Sequence, residues 1–262
     1  MKKILTIAGS DCSGGAGIQA DLKTMTALCC YGMSVITALT AQNTTGVYGV
    51  CDISADFVAK QIDCVFTDIR PDAVKIGMVS SEEIICAIAK KMKQYRPGFL
   101  IVDPVMVSSS GGKLLADGAQ AALKNELLPQ ADIMTPNIPE AEELSGLKIA
   151  DKNAMLQAAE LLAEQYGGAV LLKGGHLPDS CDDLLYQNGQ SHWLPGRRAN
   201  TKNTHGTGCT LSSAIACFVA QGEPMIDACA KAKEYTRGAI EHNPNLGKGF
   251  GPLNHCCLMW RA

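Results

Sequence analysis

The residues most able to do chemistry lie in the last third of the chain, where Asn203-Thr204-His205-Gly206-Thr207-Gly208-Cys209-Thr210 runs into the helical stretch Leu211–Ala220. Glycines at 206 and 208 let a ligand approach the backbone without meeting a Cβ. The unpaired N–H groups of a helix start then point at that ligand, with the positive end of the helix dipole behind them. Such a turn is an anion hole. A thiol in its first turn is stabilised as thiolate by the same groups, so Cys209 is expected to be partly ionised near neutral pH and able to accept a proton. A buried cysteine packed as a small hydrophobe is the alternative at this position.

Further polar residues end the apolar runs upstream. Asp103-Pro104-Val105-Met106 and Thr135-Pro136-Asn137-Ile138-Pro139-Glu140 place carboxylate or amide groups where strands finish, which is where ligands bind in open α/β sheets. Oxygen donors of this kind suit Mg²⁺ shared with substrate phosphates. Asn137 or Glu140 also fits the role of capping the short helix that follows. Lys173-Gly174-Gly175-His176 brings a cation and exposed amides to the same edge, toward a polyphosphate, although Gly-Gly pairs are often plain turns. His176 and His205 are candidate proton carriers, with a structural role as the alternative for each.

These groups need a sheet to hold them. Ile4–Ala8, Ser34–Thr40, Ala73–Ile76, Phe99–Val102, Ile133–Met134 and Ala169–Leu172 read as short, almost wholly apolar strands separated by helical patterns. Strands apolar on both faces imply a parallel sheet covered on each side, a doubly wound α/β domain. Asn188-Gly189 inside the alternating segment 183–195 signals an antiparallel hairpin at one edge. Helices are expected from about Gly208 to Gln221 and from Pro224 to His242, and Met155–Ala163 reads as a core-facing helical stripe. No repeat or charge block divides the 262 residues, so residues 1–262 are read as one domain.

Composition narrows the class. A chain with 47% hydrophobic and 19% charged residues, 26 glycines and a net charge of −3 suits an α/β enzyme and gives no reason to expect nucleic acid or a membrane as partner. Twelve cysteines without any C-x-x-C argue against a zinc or iron–sulfur site and for reduced thiols, hence a cytoplasmic location. The opening Met1-Lys2-Lys3-Ile4-Leu5 is too brief an apolar run for a signal peptide and reads as the first strand. Gly15-x-Gly17-x-x-Ala20 imitates a dinucleotide fingerprint, but the second strand ends in Gln42-Asn43 where a ribose-binding acid is wanted. The Walker pattern is absent.

Taken in order, Thr6-Ile-Ala-Gly-Ser-Asp-x-Ser-Gly-Gly-Ala-Gly-Ile-Gln-Ala-Asp-Leu-Lys-Thr24, Val35-Ile-Thr-Ala-Leu-Thr-Ala-Gln-Asn43, Lys75-Ile-Gly-Met78, Asp103-Pro-Val-Met106, Thr135-Pro-Asn-x-x-Glu140, Lys173-Gly-Gly-His176 and Thr204-His-Gly-Thr-Gly-Cys-Thr210 resemble the hydroxymethylpyrimidine/phosphomethylpyrimidine kinases of thiamine biosynthesis. That family is part of the ribokinase-like superfamily, and pyridoxal kinases of the same branch share single motifs. The resemblance implies a three-layer α/β sandwich, ATP with Mg²⁺, a homodimer, and two successive phosphorylations of a pyrimidine alcohol and then its monophosphate. It further implies that Gln42 reads the pyrimidine edge, with Asp21, Gly9, Met78 and Val105 completing the pocket. Lys173, Asn137 and Thr207 would then contact ATP, and Asp103 and Glu140 the metal. Gly206, Thr207, Gly208 and Cys209 would carry the transfer, Cys209 standing where the superfamily's sugar kinases have an aspartate base. A pyridoxal kinase, a catalytically silent binding protein and, more distantly, a dinucleotide oxidoreductase are the competing expectations.

Overall fold

The computed structural model describes residues 1–106, 118–177 and 180–258. In chain order, β1 (Lys3–Asp11) leads to α1 (Gly17–Ala27), β2 (Tyr31–Asn43), β3 (Gly46–Asp52), α2 (Ala55–Asp68), β4 (Ala73–Ile76), α3 (Glu82–Tyr95) and β5 (Leu100–Val102). The short α4 (Ala119–Ala122) continues through irregular helical turns to Gln130. Then follow β6 (Ile133–Met134), α5 (Ile138–Ser145), α6 (Lys152–Tyr166), β7 (Ala169–Leu172), β8 (Asp183–Gln187), β9 (Gln190–Leu194), α7 (Thr207–Ala220) and α8 (Met225–Glu241).

All nine strands join one sheet in the order β3-β2-β1-β4-β5-β6-β7-β8-β9. Strands β2, β1, β4, β5, β6 and β7 run parallel, and β8 and β9 add the antiparallel hairpin that Asn188-Gly189 announces. At the other end β3 pairs antiparallel with β2, a second such edge that the sequence reading did not anticipate. Nearly every residue of β3 is exposed or only partly buried, so it carries no alternation of buried and exposed positions from which a strand can be read.

Alternation along the inner strands splits the core in two. Val170 and Leu172 of β7 join Val74, Ile76 and Val102 beneath α2, α3, α5 and α6. Ala169 and Leu171 face the opposite way, with Ile4, Ile101 and Ile133, onto α1, α7 and α8. This is the three-layer sandwich expected of the family, and its parallel strands are apolar because both faces are covered. Among the described residues no helix is long and apolar enough to cross a membrane.

One charged pair interrupts this apolar interior. Lys75, in the otherwise apolar β4, is fully buried and donates to both carboxylate oxygens of Asp21 on α1 at 3.0 and 2.9 Å. Thr6 of β1 donates to Asp21 at 2.6 Å and Ser213 of α7 at 2.7 Å, so four elements meet on one carboxylate. Burial works against the Lys75 charge, but Asp21 foremost and Asp103 beyond it outweigh that cost and keep the ammonium protonated. Lys75→Met strands the Asp21 carboxylate in the core and is expected to cost about 3–5 kcal/mol in urea unfolding followed by circular dichroism. Adding Asp21→Leu should recover most of that loss. A double variant no more stable than Lys75→Met would refute the charge-pair account.

Candidate active site

Gly206 opens α7 with φ 85°, and no side chain caps the helix. By contrast α2, α3, α5 and α6 are each capped by a Ser, Asn or Asp side chain. The Thr207 N–H donates to the Thr204 carbonyl at 3.3 Å, and the N–H groups of Gly208 and Cys209 are left for a ligand. A Cβ at 206 would lie 1.9 Å from the Gly15 carbonyl oxygen, so glycine is required there both by the backbone angle and by the loop packed against it. A Cβ at 208 would lie 3.2 Å from Asp103 Oδ2 and 3.5 Å from Lys173 Nζ. The helix start thus faces an acid and a lysine from two strand ends.

Those strand ends form a single electrostatic cluster. Asp103, after β5, is buried and accepts hydrogen bonds from Thr135 at 3.0 Å and from Lys173 at 2.9 Å. Lys173, after β7, also lies 3.9 Å from Glu140. Burial opposes the lysine's charge, yet Asp103 and Glu140 prevail and hold it protonated. Asn137 and Glu140 make a reciprocal capping box on α5: the Asn137 side chain accepts from the Glu140 N–H at 2.9 Å, and Glu140 accepts from the Asn137 N–H at 2.8 Å. Capping and cavity lining, posed as alternatives by the sequence, coexist. Burial pushes the Glu140 carboxyl up to about 7, with Lys173 pulling it down and Asp103 pushing it further up.

Cys209 differs from its expectation. The thiol is pushed up to about 11, because burial penalises the thiolate and the attraction of Lys75 is opposed by Asp21 and Asp103. Desolvation therefore outweighs the helix start, and in the unliganded protein Cys209 is a thiol at neutral pH. The partial ionisation expected from the helix dipole is not found.

A cavity of about 2090 Å³ opens along the carboxyl edge of the sheet. Gly9, Gln42, Met78 and Val105 line one part of it, and Asp103, Asn137, Glu140, Lys173, Gly206, Thr207, Gly208 and Cys209 another. Its volume exceeds the usual range for a single small ligand, which leaves space for a nucleotide beside an acceptor. Asp21 stands apart from the other expected pocket residues: it has no exposed surface, does not line the cavity, and has its carboxylate committed to Lys75, Thr6 and Ser213. Its place is beneath the pocket, where it supports Lys75 and α7. His176 lines the cavity and is kept uncharged by partial burial and by the charges of Lys173 and Arg198.

Three residues without an assigned role prove to be structural centres of the site. Lys75 is one, signalled in sequence only as a lone charge inside an apolar strand. Asp11 is the second. Buried at the end of β1, it accepts from the N–H groups of Ser13, Gly15 and Ala16 and from the Ser13 hydroxyl, and its Oδ2 lies 2.8 Å from His205 Nε2. These bonds overcome the cost of burial and hold its carboxyl well below the usual range. Thr40 is the third, 3.1 Å from the Gln42 side-chain oxygen.

An uncapped helix start opposite a carboxylate–lysine pair, at the carboxyl edge of a doubly wound sheet, defines an α/β protein built to hold a transferable anionic group. Comparison with known proteins makes this specific. The family model for phosphomethylpyrimidine kinase matches residues 11–254, and the chain belongs to that family. It is 50% identical to the hydroxymethylpyrimidine/phosphomethylpyrimidine kinase of Rhizobium meliloti, over 98% of each chain. It is 52% identical over 96% of its length to the thiamine biosynthesis bifunctional protein ThiED of Geobacter sulfurreducens, spanning 52% of that longer protein. The structure of the pyridoxal kinase from Staphylococcus aureus in complex with AMP-PCP and pyridoxal is 34% identical and superposes with a TM-score of 0.89, covering 98% of this chain and 94% of that one.

The state of Cys209 is directly measurable. Iodoacetamide labelling of the Cys209 peptide, followed by mass spectrometry, is expected to accelerate steadily with pH toward about 11. A rate that levels off near neutrality would show a resting thiolate instead.

Proposed function

We propose that this chain is an ATP-dependent kinase that phosphorylates the hydroxymethyl group of 4-amino-5-hydroxymethyl-2-methylpyrimidine, and then phosphorylates the resulting monophosphate to the diphosphate. The observation that carries this reading is the meeting, in one cavity, of the uncapped start of α7, the Asp103–Lys173 pair and the amide of Gln42. Membership of the phosphomethylpyrimidine kinase family supports the acceptor, and the AMP-PCP complex of the pyridoxal kinase supports ATP as donor. The apolar surfaces of Met78 and Val105 fit the faces of a heteroaromatic ring.

Phosphoryl transfer asks chiefly for alignment and charge neutralisation. The N–H groups at Gly206, Gly208 and Cys209 stabilise charge on the transferring group, joined by that of Thr207 if it leaves the Thr204 carbonyl, and Lys173 neutralises the donor phosphates. Asp103 and Glu140 are hard oxygen donors over one cavity wall, a set that fits Mg²⁺ bound jointly with phosphate, and the metal would supply further neutralisation there. Asn137 and Thr207 lie beside the nucleotide. In the first step the acceptor hydroxyl oxygen bonds to phosphorus as the bond to the ADP oxygen breaks, and Cys209 takes the hydroxyl proton. With the thiol pushed up to about 11, the thiolate is a small minority at pH 7. The scarcity is offset in part by the strength of such a base.

The protein is proposed to act as a cytoplasmic homodimer. Exposed apolar side chains at Leu39 of β2, Tyr48 and Val50 of β3 and Phe57 of α2 support self-association. Light scattering is expected to give twice the monomer mass, and Tyr48→Asp with Val50→Asp should reduce it to the monomer value. A wild-type monomer at micromolar concentration would exclude the dimer.

A coupled assay with Mg²⁺-ATP tests the function. Turnover of the pyrimidine alcohol should exceed that of pyridoxal in kcat/KM; the reverse order would favour a pyridoxal kinase, and tight binding without turnover a silent binding protein. Cys209→Ala is expected to depress the first phosphorylation by about 10²–10⁴-fold and to remove its rise with pH, while sparing the second, whose nucleophile is already a phosphate oxygen. Equal losses in both steps would sink the base assignment.

A further inference from the structure

Gln42 sits between two fixed partners whose hydrogen-bonding capacities decide how its amide must face. Its side-chain nitrogen lies 3.2 Å from His205 Nε2, and its oxygen 3.1 Å from Thr40 Oγ1. His205 Nε2 is also 2.8 Å from Asp11 Oδ2. Asp11 is an ionised carboxylate that can only accept, so Nε2 carries a hydrogen. An amide NH₂ turned toward that nitrogen would set donor against donor. A second conflict arises at Thr40, whose single hydroxyl hydrogen faces both the Gln42 oxygen and the Ser10 carbonyl oxygen, the latter at 2.9 Å.

A half-turn of the amide relieves the donor clash at His205 and frees the Thr40 hydroxyl hydrogen. The oxygen then shares the single His205 Nε2 hydrogen with Asp11, the nitrogen donates to Thr40 Oγ1, and Thr40 keeps its hydrogen for Ser10. Each partner is held in turn. His205 is buried and anchored by Asp11, and Thr40 is buried on β2. The amide is left with one lone pair and one hydrogen to offer the cavity, in a defined order.

We propose that His205 and Thr40 are positioning residues that lock the Gln42 amide in this single orientation, and so determine which donor–acceptor pattern on a heteroaromatic ring edge the pocket accepts. The inference rests on the reading of Gln42 as the contact to that edge. A locked amide accepts from an exocyclic amine and donates to the adjacent ring nitrogen. It opposes the 4-oxo tautomer, which offers a carbonyl and a ring N–H in the same two places. An unlocked amide rotates and serves either.

The test compares kcat/KM for the 4-amino hydroxymethylpyrimidine with that for its 4-oxo analogue in Thr40→Val and His205→Phe. Both variants are expected to lower the amino-to-oxo ratio by about fivefold or more, the effect of one misdirected hydrogen bond. Parallel losses on both substrates, with the ratio unchanged, would reduce these residues to structural supports and overturn the proposal. His205→Phe leaves Asp11 unpaired. If that variant does not fold by circular dichroism, Thr40→Val, which preserves shape, decides alone. Gln42→Ala isolates the underlying reading: an undiminished kcat/KM on the amino substrate would reject Gln42 as the ring contact, whereas a large loss there with unchanged ratios in the other variants would reject only the lock.

Discussion

A lysine ammonium and an aspartate carboxylate buried together in the middle of an apolar sheet constrain everything around them. Lys75 and Asp21 have no exposed surface, so neither can be hydrated and each must be satisfied by protein. That requirement draws α1, α7, β1 and β4 to one point through Thr6 and Ser213. Gly77 follows from the same constraint, since a Cβ there would lie 2.6 Å from the ammonium. The pair thereby fixes the start of α7 relative to the strand ends, and it places a permanent positive charge under Cys209.

Charge elsewhere in the site is arranged with the same economy. Lys173 lies between Asp103 and Glu140, and without it two acids would face each other in a desolvated space. Burial still pushes the Glu140 carboxyl up to about 7, against the pull of Lys173 and with a further push from Asp103. Cys209 obeys the same balance with the opposite charge type. One lysine below does not outweigh burial and two neighbouring acids, so its proton stays on until something changes around it.

Much of this was legible in the residues themselves. Apolar strands such as Ala169–Leu172 imply helices on both faces, and Asn188-Gly189 marks the hairpin at one edge because its backbone demands are local. The glycine turn before α7 announces an uncapped helix start for the same reason. What could not be read depends on long-range contact. β3 is legible only through its pairing with β2, since its exposed residues carry no pattern. The place of Asp21 beneath the pocket depends on Lys75, 54 positions away, and the ionisation of Cys209 on a burial that no local motif encodes. Asn137 and Glu140 were ambiguous because one geometry serves as both cap and cavity wall.

The contact between the Gly15 carbonyl and Gly206 carries a consequence for how such proteins diversify. Because the loop beside the ring pocket rests directly on the turn that opens α7, neither backbone can move without displacing the other. Change in this part of the cavity is therefore left to side chains on a fixed frame, at lining positions such as Gln42, Met78 and Val105. The pyridoxal kinase at 34% identity superposes with a TM-score of 0.89, so the frame outlasts the exchange of most of its side chains.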